Sequence, residues 1–192
     1  SQVRVVPTLL ALHGIPKEHR DKPADYIAAV TDKLLPQVKE LGLAEYVDAF
    51  IEQGYFSVSD VEGYVEKAKG MGLGVRLHAD EFTHCGGAAA AAQWQAASAD
   101  HLQFASDDDA KAMADAGVVA TMLPGTSLYT KIPYTNARRF LDAGCATAIA
   151  TDFNPGSCMI DDLAFLSVMA ALHCGFTIPE ALAAITIVPA YS

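Results

Sequence analysis

Along the chain, apolar and polar positions alternate in one recurring rhythm: a short apolar run, a polar turn, then a longer amphipathic stretch. The runs Val3–Leu12, Tyr46–Phe50, Gly74–Leu77, His101–Phe104, Val118–Leu123 and Thr147–Ala150 predict strands. The stretches Pro23–Leu41, Ser59–Gly70, Gly87–Ala96, Asp107–Ala116, Thr135–Ala143 and Asp161–Cys174 predict helices, with a last one from Pro179. Local punctuation supports these boundaries. Ser106 followed by Asp107, Asp108 and Asp109 places acids at a helix start, where the macrodipole favours them. Gly117, Gly144 and Gly175 follow helical runs, as C-terminal caps do. Thr177-Ile178-Pro179-Glu180 reads as an N-cap with an early Pro and a capping-box acid.

Strand ends fall near His13, Phe50, His78, Phe104, Leu123 and Thr151, close to the roughly 30-residue period of a βα repeat. Alternation of this kind predicts a parallel sheet, either doubly wound or closed into a barrel. The polar residues favour the barrel. His13, Glu52, His78 with Glu81, His101, and Asp152 with Asn154 all stand just past the carboxyl ends of strands. That edge is where a (β/α)₈ barrel builds its site from several strands.

Composition narrows the partners more than the fold. The 192 residues are 52% hydrophobic and 19% charged, as in a globular protein with a large core. A formal net charge of −10 argues against nucleic acid and against an anionic membrane surface as partners. No apolar run is long enough to span a bilayer, and no charged-then-apolar leader opens the chain. The cysteines, at positions 85, 145, 158 and 174, show no CxxC spacing and are expected to be reduced thiols of a cytoplasmic protein.

Three strand ends carry the candidate chemistry. In Val75-Arg76-Leu77-His78-Ala79-Asp80-Glu81 an apolar strand runs into a histidine, with a carboxylate three residues on. A neutral imidazole can ligate a metal, and a nearby carboxylate can move protons. Ser98-Ala99-Asp100-His101-Leu102 repeats the theme, and Thr151-Asp152-Phe153-Asn154-Pro155-Gly156-Ser157 follows a wholly apolar run. Singly each has a plain structural reading: a core histidine, a helix-capping acid, a turn set by Asn, Pro and Gly. Two histidines and an acid at three strand ends of one sheet are harder to explain as packing. His84 and Cys85 suggest no second metal site, His19 and His173 read as surface or helix-face residues, and Arg138 and Arg139 as a solvated helix face.

The motifs HADE, SADHL and TDFNPGS resemble those of the amidohydrolase superfamily, and TDFNPGS together with ALHGIP is similar to its imidazolonepropionase family. The similarity covers essentially the whole chain, including Tyr46–Glu52 and the Met122-Leu123-Pro124-Gly125 turn. It implies an α/β fold, the (β/α)₈ TIM barrel of the amidohydrolase type, with about six of eight units supplied by one domain over residues 1–192. The first strands, bearing an HxH pair, and a small β domain would then lie outside it. It also implies that His78 and Asp152 are ligands of one divalent metal ion, zinc or iron. Glu81, His101 and Asp152 would be catalytic: Glu81 moves protons, and His101 polarises the carbonyl or holds the water. His13 would contact the substrate ring, and Asn154, Gly156 and Ser157 would bind the imidazolone and its propionate. The implied reaction is hydrolysis of 4-imidazolone-5-propanoate to N-formimino-L-glutamate, with a small-molecule substrate and homodimerisation left open. Two rivals remain: a cytosine or guanine deaminase-like amidohydrolase, and a non-catalytic truncated remnant. No HxH occurs in the sequence, and Thr186-Ile187-Val188-Pro189-Ala190 lacks the family's T-x-N-A-A pattern.

Overall fold

A computed structural model describes residues 3–191. Six strands form one parallel sheet in sequence order: β1 (Thr8–Leu12), β2 (Tyr46–Ile51), β3 (Gly74–Ala79), β4 (Ser98–His101), β5 (Val119–Met122) and β6 (Thr147–Ile149). Each pairs only with its sequence neighbours, so β1 and β6 are the two edges among the described residues. This is the consecutive order of a βα barrel; a doubly wound sheet would reverse direction at a switch point.

The crossover helices are α1 (Pro23–Ala29) and α2 (Leu35–Glu40), joined through a π turn, then α3 (Val58–Gly70), α4 (Gly87–Trp94) and α5 (Asp107–Ala116). Between β5 and β6 lie α6 (Pro124–Thr130) and α7 (Ala137–Asp142), and α8 (Leu163–Met169) and α9 (Ile178–Ala184) follow β6. In β3 the burial alternates: Val75, Leu77 and Ala79 are buried, while Arg76 and His78 on the other face are only partly covered. The buried set joins Val61, Val65 and Ala68 of α3 and Ala88 and Ala91 of α4 in the core. Helix α4 lies so near the sheet that a Cβ on Gly87 would stand 2.8 Å from that of Ala79. The face carrying Arg76 and His78 is the inner wall of the arc.

Some elements depart from the sequence reading. Strand β1 starts at Thr8, because Val3 and Val5 stand in solvent at 74% and 76% exposure. The fourth strand is Ser98–His101, not His101–Phe104. Its polar Ser98 and Asp100 hid it from an apolar-run criterion, and the positive φ of His101 and Leu102 ends it. Pro124-Gly125 opens the unexpected helix α6, Pro taking the first turn where it gives up no hydrogen bond. A capping box closes at Thr177/Glu180 as the pattern predicts, the acid-rich helix start at Ser106 proves to hold a second one with Asp109, and a third lies at Ser57/Asp60. Arg138, expected on a solvated face, holds Glu180 through two bonds of 3.1 and 2.9 Å.

Candidate active site

Because all six strands run parallel, their carboxyl ends open on one side, and a cavity of about 240 Å³ lies there. All eight candidate site residues line it: His13 after β1, His78 and Glu81 from β3 and its turn, His101 at the end of β4, and Asp152, Asn154, Gly156 and Ser157 after β6. Phe50, Tyr55 and Phe82 supply an aromatic wall, and Thr130 from the end of α6 completes the rim.

His78 sits at the centre of the polar groups. Its ring centroid is 5.3 Å from that of His101 and 5.9 Å from that of His13. Its Nδ1 lies 3.1 Å from the Asp48 carboxylate of β2, leaving Nε2 as its other nitrogen. Burial pushes the imidazolium pKa down, but the Asp48 charge and hydrogen bond outweigh this and carry it up to about 9. His101 is 2% exposed. Burial, then the neighbouring His78 and His13, drive its pKa well below the usual imidazole value, so it is neutral at pH 7. Its Nδ1 has no hydrogen-bond partner, the Glu81 Oε1 being 3.5 Å away. Glu81 is 6% exposed, and burial raises its carboxyl to about 7, opposed by His78 and aided by Asp152 and Glu52. His13 stacks on Phe50 at 5.4 Å, its pKa lowered by burial and by His78.

Asp152 approaches from the far side of the arc. Thr126 of α6, fully buried, donates its hydroxyl to Asp152 Oδ2 at 2.5 Å. Asn154 lines the cavity, but its side-chain amide is occupied within its own loop. Its Oδ1 accepts from the Gly156 and Ser157 N–H groups at 2.8 Å each. Its Nδ2 donates to the Asp152 carbonyl at 2.7 Å and to Ser157 Oγ at 3.0 Å. The arrangement makes Asn154 a clasp on the loop that carries Asp152.

Sequence reasoning missed three supporting acids and a hydroxyl. Asp48 and Asp100 flank His78 from the adjoining strands, and one ligand atom from each of the three lies within 4.8 Å of the others. An acid at an inward position of an otherwise apolar strand, as in Tyr-Val-Asp-Ala-Phe-Ile, was the available signal for Asp48. Asp80 accepts four backbone N–H bonds, from Cys85, Gly86, Gly87 and Ala88, and so ties the end of β3 to the start of α4. Glu52, noted as a strand-end acid, has a scaffolding role: it accepts from Phe82 and Gln53 N–H at 2.8 Å. Thr126 carried no signal.

The donors present suit a divalent ion of zinc or iron type, which takes imidazole nitrogen and carboxylate oxygen. His78 offers Nε2 because Nδ1 is bound to a carboxylate, Asp152 offers the oxygen that Thr126 leaves, and His101 brings an unpartnered buried nitrogen. The compact Asp48, His78 and Asp100 group competes for this assignment on distance alone. Asp48 already engages the ring through Nδ1, and Asp152 and His101 supply further donors beside Nε2, so the cavity side is the better-supplied position.

No protein-family model matches the chain. Curated proteins do. The imidazolonepropionase of Bacteroides fragilis strain YCH46 is 45% identical over 186 residues, covering 97% of this chain and 45% of that protein. That of Symbiobacterium thermophilum is 44% identical over 185 residues, and that of Bacillus velezensis 42% over 191. The chain thus spans under half the length of the curated relatives it matches. Among solved structures, a zinc-bound adenosine deaminase from Xanthomonas campestris superposes with a TM-score of 0.69 at 16% identity, over 98% of this chain and 47% of that one. A triazine hydrolase variant gives 0.71 at 16% identity, over 96% of this chain and 47% of its own. The fold is that of the amidohydrolase barrel, present as a six-stranded arc, and the resemblance to imidazolonepropionases holds over nearly all of this sequence.

Proposed function

We propose that this relative of the imidazolonepropionases carries the reaction half of a metal-dependent hydrolase opening the cyclic amide of 4-imidazolone-5-propanoate to N-formimino-L-glutamate. One observation carries the reading. Residues from four strand ends, picked out by motif, line a single cavity containing three histidines, a neutral-range carboxyl and an acid. Its volume of about 240 Å³ is just under the roughly 300–1,000 Å³ typical of drug-sized pockets, a scale for a metabolite.

His78 and Asp152 would hold one zinc or iron ion, which when bound polarises the amide carbonyl and acidifies water. Glu81 takes the proton of the attacking water and returns it to the departing ring nitrogen. A carboxyl titrating at about 7 is suited to both transfers at neutral pH. His101, neutral and buried, steadies the oxygen on which negative charge develops. His13 on its Phe50 base, with Tyr55 and Phe82, gives the flat ring an aromatic surface. The Asn154–Ser157 loop borders the ring and its propionate. In this reading the full ligand set includes an HxH pair on a first barrel strand outside these 192 residues. Copies of the chain could pair as a homodimer in the cytoplasm. Among the described residues, no helix is long and apolar enough to cross a membrane.

The test is turnover of 4-imidazolone-5-propanoate by zinc- and iron-loaded protein, with cytosine, guanine and adenosine as competing substrates. Glu81→Gln is expected to lower kcat by about 10²–10⁴-fold while the metal stays bound. Preferred turnover of a nucleobase, or unchanged kcat in Glu81→Gln, would refute the proposal.

A further inference from the structure

We infer that Asp48 is a positioning residue for His78: its carboxylate holds the Nδ1 proton and so presents Nε2 to the cavity as the ligating nitrogen. The inference rests on the reading of His78 as a metal ligand. Asp48 is placed for this by strand register. In the β2–β3 pairing Asp48 stands opposite Arg76 and Phe50 opposite His78, so the acid lies one level deeper than the ring it touches. From there it reaches Nδ1, the ring nitrogen next to the backbone, at 3.1 Å. Asp48 is 6% exposed, in a strand whose Val47, Ala49 and Ile51 are fully buried.

A buried carboxylate is costly unless it is paired, and a hydrophobic residue at this inward position would be simpler for packing. Its pairing partner is the ring. An imidazole has two nitrogens and, when neutral, one proton; the acceptor that takes the proton on one nitrogen leaves the lone pair on the other. Fixing the proton on Nδ1 removes the tautomer that could not ligate through Nε2 and limits ring rotation. It also raises the basicity of Nε2, as carboxylate–histidine–metal arrangements generally do. Asp100 provides an internal control. It is in direct register with His78 on β4 and has an oxygen within 4.8 Å of a His78 ring nitrogen, yet the Nδ1 hydrogen bond goes to Asp48.

The experiment measures zinc affinity by competition with a chromophoric chelator, in a chain that also carries the HxH strand, for wild type, His78→Ala, Asp48→Ala, Asp48→Asn and Asp100→Asn. Asp48→Ala is expected to weaken zinc by about 10–100-fold, with partial rescue in Asp48→Asn, whose amide oxygen still accepts the Nδ1 proton. Asp100→Asn should change it by less than about threefold, because the Nδ1 hydrogen bond of His78 runs to Asp48 and not to Asp100. Nitrogen-15 NMR of the zinc-loaded wild type supplies a readout that a merely structural role would not move, and needs no variant to fold: Nδ1 should carry the proton and Nε2 the metal. Zinc on Nδ1, or wild-type affinity in a folded Asp48→Ala, would overturn the inference alone. An Asp100→Asn loss equal to that of Asp48→Ala would overturn it in favour of two carboxylate ligands. If wild type binds zinc no more tightly than His78→Ala, the ligand reading itself falls, and the inference with it.

Discussion

The mouth of the arc and the far ends of its helices solve the same backbone problem in opposite ways. Both need residues with positive φ, where the chain must turn left-handed. At helix ends this falls mostly to glycine: Gly117 (φ 73°), Gly144 (84°) and Gly175 (85°) follow α5, α7 and the stretch after α8. At the strand ends facing the cavity it falls to Asp80 (50°), His101 (77°), Leu102 (63°) and Asp152 (49°). Non-glycine residues in such conformations cost about 1–3 kcal/mol each and persist only where surrounding structure holds them. Here it does. Asp80 is gripped by four N–H groups, Leu102 N–H donates to Ala79 O at 3.0 Å, Thr135 Oγ1 donates to His101 O at 2.6 Å, and Thr126 binds Asp152. Helix ends relieve strain through composition; the site retains it and ties it down with hydrogen bonds.

The hardest way to break that comparison is to cut the ties. Asp80→Ala strips the acceptors from Cys85, Gly86, Gly87 and Ala88 N–H at a fully buried position. Leaving buried donors of this kind unpaired costs about 1–3 kcal/mol each, so the denaturation midpoint should fall sharply. A loss under about 1 kcal/mol, the net value of one ordinary hydrogen bond, would mean the strand edge is held by packing instead.

A second prediction uses pH. Glu81 has its carboxyl raised to about 7 from the ordinary 4.5, burial being the main cause. Below about 4.5 both folded and unfolded forms are protonated, and the group does not oppose folding. Between 4.5 and 7 the unfolded chain releases the proton first, so stability falls as pH rises, and above 7 the penalty is complete. The site is partly open to water, so the penalty is discounted to about 1–2 kcal/mol. In metal-free protein Glu81→Gln should therefore be more stable than wild type at pH 8 by that amount, and equal to it at pH 4. The reverse ordering in urea titrations would show that Glu81 is held as a carboxylate by the fold.

The two regions also differ in how far the sequence discloses them. Helix ends are local, and the helix start at Ser106 and the Thr177/Glu180 box could be read from four residues each. The location of the site was also legible, since a parallel sheet brings every carboxyl end to one side and the polar residues cluster after those ends. Its supports were not. Asp48 serves a ring thirty residues away, and Thr126 serves an acid twenty-six residues away. Neither spacing has a local pattern. The polar inner face of β4 hid that strand, because Ser98 and Asp100 pack toward other polar side chains. Asn154 shows the converse: a residue marked by motif for substrate has its amide bound to its own loop.

The glycine side of the comparison is sharpened by Gly117→Ala. A Cβ there meets nothing within 4 Å, so only the left-handed backbone resists it. The expected loss is about 1–2 kcal/mol, the price of αL for an ordinary residue. No change in thermal midpoint would mean that the chain shifts out of αL at this cap freely, and the contrast with the cavity mouth would lose its baseline.

The smallest effect has the opposite sign. Gln95 ends α4 at φ 52°, so it is a helix end that lacks the glycine its counterparts have. It is also exposed, and its N–H donates to Ala91 and Ala92 carbonyls, bonds a glycine would keep. Gln95→Gly removes the Cβ that opposes αL, while adding freedom to the unfolded chain; the first term exceeds the second only if the position truly requires a left-handed backbone. The expected gain is about 0.5–1 kcal/mol, measured as a raised urea midpoint with an unchanged slope. The same exchange at Asp152 should lower stability, since there the side chain makes the bond to Thr126 that helps hold the strained turn. A matched pair, one gaining and one losing, is the result that separates composition from hydrogen bonding. If both gain, the strain at the site is no better secured than at a helix end. If Gln95→Gly loses, then the Gln95 side chain supports its helix end in some further way, and the glycine rule does not describe this molecule's caps.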